Sequence, residues 1–240
     1  MDLATLLPLL APRAVDGPTA RTVRGVGHDS RTIGPHDIFV AIRGGSVDGR
    51  RFARTLDCAA VIADGPVDVL PGVTTIEVTD ARRALAIAAA ALAGHPARRL
   101  DVVGITGTNG KTTTALLLEA AMTHAGQSGL VIGTTGHRLA GRPIAATHTT
   151  PEAPVLHTLM AEASEAGCTY AVMEVSSIGL DLRRVDAIPF KVAAFTSFSQ
   201  DHLDFHGDMD RYFAAKARLF SELLAPDGVA VLFGDDPRIG

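Results

Sequence analysis

Residues 104–114 read GITGTNGKTTT, and the stretch lies between an apolar run, DVVGIT, and a helical pattern, TTTALLLEAAMTHAG. A glycine-rich turn that follows a strand and opens a helix aims backbone N–H groups and the positive end of the helix dipole at one point, which suits a phosphate. Gly107 and Gly110 allow close backbone approach, Lys111 can reach β- and γ-phosphates, and the Thr112 hydroxyl can ligate Mg²⁺. Thr108, Asn109 and Thr113 lie in the same stretch. The spacing is GxxGxxGKT from Gly104 to Thr112; Ile105 breaks the commoner GxxxxGK[ST] form.

A strand, a phosphate turn and a helix in this order point to an α/β fold, and the flanking sequence agrees. After the turn come GLVIGTT, PEAPVLHTLMAEASEAG, YAVMEV, KVAAFTS, MDRYFAAKARLFSELL and VAVLF, an alternation of β-branched apolar runs and helical patterns. This predicts a mostly parallel, doubly wound sheet covered on both faces, with ligands at the carboxyl ends of its strands. The first hundred residues show a smaller alternation, with strands DIFVAI, AAVIAD and VTTIEVT and helices RRFARTLDCAA and ARRALAIAAAALAG. GHPARRL breaks the pattern with Gly94 and Pro96. The expected organisation is a small N-terminal α/β domain over 1–97 and a P-loop domain over 98–240.

Composition narrows the partners. A net charge of -4 with 20% charged and 47% apolar residues gives no basic excess, so nucleic acid is not expected and a small molecule is. Cys58 and Cys168 are far apart and lack a second ligand pair, which argues against a disulfide framework or a structural zinc site and fits a reducing cytoplasm. MDLATLLPLLAP and ALAIAAAALAG are too short to span a bilayer, so no membrane association is expected. The first reads as a docking helix, the second as a buried one.

Three further segments supply chemistry. Glu174 ends the apolar run YAVMEV, where a P-loop needs a carboxylate to share its magnesium. SQDHLDFHGD follows another strand and crowds Asp201, His202, Asp204 and His206. His202 and His206 have the i,i+4 spacing of a zinc pair, but Leu203 stands where a zinc protease has Glu, which disfavours zinc. Asp208 is expected to cap the next helix. In that helix Lys216 falls inside the stripe Tyr212, Phe213, Leu219, Phe220 and Leu223. Such a lysine ordinarily extends its ammonium to the edge; at a cleft, desolvation would lower its pKa.

Together GITGTNGKTTT, THTTPE, MEVSSIGLDLRRV and FTSFSQDHLDFHGDMDRYFAAKARLF resemble the Mur ligases, and HDSRTIGPHDIFVAIRGGSVDGRRF is similar to the uridine-binding domain of their tripeptide-forming branch. The resemblance covers nearly the whole chain. It implies an ATP-dependent ligation in peptidoglycan synthesis, in which a D-Glu carboxylate of UDP-MurNAc-L-Ala-D-Glu is phosphorylated and the amine of lysine or meso-diaminopimelate displaces the phosphate. It implies Thr108, Asn109 and Thr113 in the ATP contact, Thr112 and Glu174 on one Mg²⁺, and His202 with a CO₂-derived carbamate on Lys216 on a second. Ser30, Gly45, Ser46 and Val47 correspond to uridine-side contacts, and Thr149, Thr150, Ser176 and Arg184 to muramoyl-dipeptide contacts. A monomer is expected.

The chain departs from the family pattern at Ile178 and Leu182, where His and Gln are usual, and at His148, where Asn is common. It also ends at Gly240, so a truncated ligase with weak or no turnover by itself is expected. Two other readings compete: a catalytically silent nucleotide or UDP-sugar module, and a related folylpolyglutamate-type ligase. A generic P-loop GTPase or kinase has no use for a lysine at position 216.

Overall fold

The computed structural model describes residues 1–44, 47–235 and 238–239. Gly45 and Ser46, expected in a ligand-contacting turn, lie outside the described residues. The chain separates into two compact units, Met1–Gly94 and His95–Gly240.

The first unit comprises α1 (Leu3–Leu10), β1 (Ala14–Asp16), β2 (Gly25–Gly27), β3 (Asp37–Ala41), α2 (Arg50–Ala53), β4 (Ala60–Ala63), β5 (Thr74–Glu77) and α3 (Ala81–Leu92). Its sheet runs β1-β5-β4-β3-β2, parallel except for β1. Asp80 caps α3 by accepting from the Arg83 N–H, and a row of small alanines lets that helix lie close on the sheet, with Leu85 and Ala88 buried against Ile38, Val40 and Ile62. The helix expected over RRFARTLDCAA is only Arg50–Ala53, because Ala60 opens β4 and the chain must reverse before it.

The second unit holds β6 (Asp101–Thr106), α4 (Lys111–His124), β7 (Gly129–Gly133), β8 (Gly136–Leu139), β9 (Arg142–Ile144), α5 (Ala153–Glu165), β10 (Tyr170–Glu174), α6 (Ser177–Asp181), β11 (Phe190–Phe195), α7 (Leu203–His206), α8 (Met209–Ser221) and β12 (Leu224–Leu232). Seven strands lie in the order β12-β11-β6-β10-β7-β8-β9. The five from β12 to β7 are parallel, as the β-branched runs imply, and crossovers link them in the chain order β6, β7, β10, β11, β12. Val102, Ala171, Met173 and Ala193 face a core that includes Leu156, Met160 and Leu219, while Ile105 and Val172 pack under α4.

The hairpin β8–β9 is antiparallel and was not predicted; its turn uses Ala140 and Gly141 at φ 49° and 79°, a primed turn carrying alanine where glycine or asparagine is usual. The helices α6 and α7 are short, five and four residues. Among the described residues no helix is long and apolar enough to cross a membrane.

Candidate active site

The order of the parallel strands brings the carboxyl ends of β6, β10 and β11 side by side, with Glu174 in register with Ile105 and Phe195 with Thr106. The glycine turn leaves β6 here. Gly107 has φ 141° and Gly110 φ 88°, and a Cβ on Gly107 would lie 2.1 Å from Thr196 Oγ1. Only glycine fits at that position. The loop after β11 is laced to the turn: Thr108 N–H donates to the Ser197 carbonyl at 2.8 Å, Thr196 Oγ1 to the Asn109 carbonyl at 2.6 Å, and Asn109 N–H to Ser197 Oγ at 2.9 Å. Thr108 Oγ1 donates to the Ser199 carbonyl at 3.0 Å. The turn is thus built in advance, and the first N–H groups of α4, which have no partner inside the helix, open at its mouth.

Lys111 folds back over this turn, its Nζ donating to the carbonyls of Gly107 and Thr108 at 2.8 and 2.9 Å. Burial lowers its pKa, opposed by the charges of Glu174 and Asp201. Thr112 Oγ1 is 2.9 Å from both carboxylate oxygens of Glu174. Glu174 is buried at the end of β10 and accepts two more hydrogen bonds, from Thr134 N–H at 2.9 Å and Thr134 Oγ1 at 3.1 Å. A buried carboxylate needs such partners, and sequence reasoning missed Thr134 because a threonine just past a strand carries no motif.

A lysine in an apolar helical stripe ordinarily extends its ammonium to an edge. Lys216 lies instead in the interior, 1% exposed, with Nζ donating to the Gly107 carbonyl at 2.9 Å and sitting 4.5 Å from the centroid of the Tyr212 ring. The register of α8 forces this, since Tyr212, Ala215, Lys216 and Leu219 form its buried face and Asp208 caps its start. Burial, and then the charge of Lys111, lower the Lys216 pKa to about 7, with Asp201 opposing. Tyr212 reaches the turn as well, its hydroxyl 3.1 Å from Thr108 Oγ1. His202, with φ 51°, is exposed and sets its ring 6.3 Å from that of Tyr212. Lys216 and His202 therefore border one tyrosine. His206 is buried, with Nε2 3.0 Å from Ser177 Oγ. Among the described residues no three His, Cys, Asp or Glu side chains converge.

A second group lies beside Glu174. Thr149 Oγ1 is 3.0 Å from Thr134 Oγ1. Thr150 Oγ1 donates to the Glu174 carbonyl at 3.0 Å and accepts from Ser176 N–H at 3.0 Å, while Ser176 caps α6 through Gly179 N–H. Arg184 donates to the Thr150 carbonyl at 2.9 Å and pairs with Glu152 at 2.6 Å, with its buried Nε left unpaired. Thr113 lies on the first turn of α4. In the first unit, Ser30 is half-buried in the turn after β2 and Val47 is exposed.

The pattern of the Mur ligase middle domain matches residues 105–239, and that of the Mur ligase family catalytic domain matches residues 22–93. The chain belongs to the Mur ligase family. A relative from Geobacter metallireducens, named UDP-N-acetylmuramoyl-L-alanyl-D-glutamate--2,6-diaminopimelate ligase, is 43% identical over 245 residues, covering 99% of this chain and 48% of its own length. A Deinococcus radiodurans relative named UDP-N-acetylmuramyl-tripeptide synthetase is 43% identical over 246 residues, covering 98% of this chain and 49% of its own length. A solved diaminopimelate ligase structure of the same name as the Geobacter relative superposes with a TM-score of 0.81 at 25% identity, over 97% of this chain and 52% of that one. MurF from Acinetobacter baumannii shares the Mur ligase fold, with a TM-score of 0.64 at 21% identity, over 95% of this chain and 47% of that one. The chain spans about half the length of the curated relatives it matches.

Proposed function

We propose that this Mur ligase chain supplies the uridine-side and nucleotide-binding parts of an ATP-dependent amide ligase of peptidoglycan precursor synthesis, working in the cytoplasm as a monomer. The acceptor is UDP-MurNAc-L-Ala-D-Glu and the donor a diamino acid; the names of the relatives favour 2,6-diaminopimelate. The contact between Thr112 and Glu174 at the mouth of the glycine turn carries this reading.

The donor set fits magnesium, because a hydroxyl and a carboxylate 2.9 Å apart are hard oxygen ligands at a phosphate-binding helix start. Thr112 and Glu174 would hold one ion; His202 and Lys216 as its carbamate would hold another. Magnesium, when bound, supplies positive charge that offsets repulsion between an attacking carboxylate and a polyphosphate. Lys216 suits the modification: near neutral pH a good share of it is free amine. Its nitrogen lone pair attacks the carbon of CO₂, a C–N bond forms, and one N–H proton leaves to solvent.

The chain's own residues do the rest. The turn Gly107–Thr113 binds the phosphates through the free N–H groups at the start of α4, Thr108 and Asn109 N–H being held by Ser197, and Lys111 exchanges the carbonyls of Gly107 and Thr108 for phosphate oxygens. Thr149, Thr150, Ser176 and Arg184 hold the dipeptide so that its carboxylate faces the γ-phosphate. Arg184, already paired with Glu152, offers its remaining N–H groups. Residues 1–97 take the uridine end through Ser30 and Gly45–Val47.

Calorimetry with UDP-MurNAc-L-Ala-D-Glu tests the reading. Binding that UDP displaces supports it; binding of ATP with none of the muramoyl dipeptide would instead favour a simpler nucleotide module.

A further inference from the structure

The carboxylate of Glu174 is held by a cradle that no motif marks. A Cβ on Gly133 would lie 2.4 Å from Glu174 Oε1, so the last residue of β7 must be bare for the carboxylate to sit there. The next residue, Thr134, then gives the carboxylate two donors, its backbone N–H at 2.9 Å to Oε1 and its hydroxyl at 3.1 Å to Oε2. A hydroxyl has one proton. Spent on the charged oxygen, the stronger acceptor, it leaves the 3.0 Å contact between Thr134 and Thr149 to be made by the Thr149 proton. The hydrogen bonds therefore run in one direction, from Thr149 to Thr134 to Glu174, and successive bonds in such a chain polarise one another. Thr149 lies next to Thr150, whose hydroxyl holds the backbone of Glu174 from the other side.

We infer that Thr134 is a positioning residue: it fixes the orientation of the Glu174 carboxylate for a nucleotide-bound divalent cation and links that carboxylate to Thr149 on the dipeptide side. The inference rests on the proposed function, in that Glu174 is taken as a magnesium ligand. Rotating Glu174 away from Thr112 would separate the two oxygen donors, so the Thr134 hydroxyl acts on cation binding and not on contacts between the glycine turn and phosphates. Thr149 touches Thr134 and not the carboxylate, yet it acts on the same cation through the shared hydroxyl.

The test is calorimetric titration of the 240-residue chain with adenylyl imidodiphosphate, in Mg²⁺ and in EDTA. Thr134→Val keeps the branched shape and backbone N–H but removes the hydroxyl; it is expected to weaken binding about tenfold in Mg²⁺ and to leave binding in EDTA unchanged. Thr134→Ser should restore the Mg²⁺-dependent affinity. Thr149→Val, a half-buried surface position, should weaken Mg²⁺-dependent binding less, and the double variant should fall short of the sum of the two single losses. Equal loss in Mg²⁺ and EDTA, or strict additivity, would overturn the inference. If Thr134→Val does not fold, Thr149→Val alone decides: no change in its Mg²⁺-dependent affinity overturns the link. A wild-type chain that binds the nucleotide equally with and without Mg²⁺ would remove the underlying reading too, an outcome distinct from a silent Thr134 in a Mg²⁺-dependent protein.

Discussion

Lys111 and Lys216 donate to one carbonyl oxygen, that of Gly107, at 2.8 and 2.9 Å. Two amines on one acceptor in a buried place cannot both carry full charge cheaply, and it is the more deeply buried Lys216 whose pKa falls to about 7. Lys111 and Lys216, the lysine of the proposed carbamate, are thereby coupled through one oxygen.

Carbon-13 NMR in labelled bicarbonate reads this coupling. A group with pKa near 7 is mostly protonated below that pH and mostly free amine above it, so the carbamate signal should grow between about pH 6 and about pH 8. Lys216→Met should abolish it. Lys111→Met removes a like charge, raises the Lys216 pKa and moves the onset to higher pH. An onset indifferent to residue 111 would contradict the coupling.

Gly107 carries a steric requirement as well as a conformational one. Alanine there faces Thr196 Oγ1 at 2.1 Å with φ 141°, whereas at Gly126, φ 75°, nothing lies within 4 Å. Urea unfolding should show Gly107→Ala destabilised by about 2–3 kcal/mol and Gly126→Ala by about 1 kcal/mol. Similar losses at the two sites would mean that Thr196 yields easily.

His157 is buried on α5 with neither ring nitrogen hydrogen-bonded, and burial, then the charge of His95, lowers its pKa to about 4. The unfolded chain takes up this proton near the ordinary pKa of 6.5 and the folded chain only near 4, so stability is full above about pH 6.5 and drains away as pH falls towards 4. Between pH 7.5 and pH 5 the loss from this residue should be about 2 kcal/mol. His157→Leu should flatten that slope in urea melts at the two pH values; an unchanged slope would assign the acid sensitivity elsewhere.

Regular periodicity made the parallel sheet legible: DVVGIT is β6 to the residue, and YAVMEV and KVAAFTS run one or two residues beyond β10 and β11. The hairpin β8–β9 was hidden because Ala140 takes a left-handed conformation that alanine seldom announces. Helical spacing put Lys216 inside the stripe of α8 but could not say what lies opposite it, here the carbonyl of Gly107 from 109 residues earlier. Thr134 was invisible for the same reason, since its meaning comes from Glu174 on a neighbouring strand. Long-range partners are what one-dimensional patterns omit.

The claim on which the rest depends is that Thr112 and Glu174 jointly hold the cation of a bound nucleotide. Calorimetry of the wild-type chain and of Glu174→Gln with adenylyl imidodiphosphate, in Mg²⁺ and in EDTA, measures it directly. Wild type should bind at least about tenfold tighter in Mg²⁺, and Glu174→Gln should lose that advantage while matching wild type in EDTA. A Glu174→Gln chain that keeps the full Mg²⁺ advantage would contradict it.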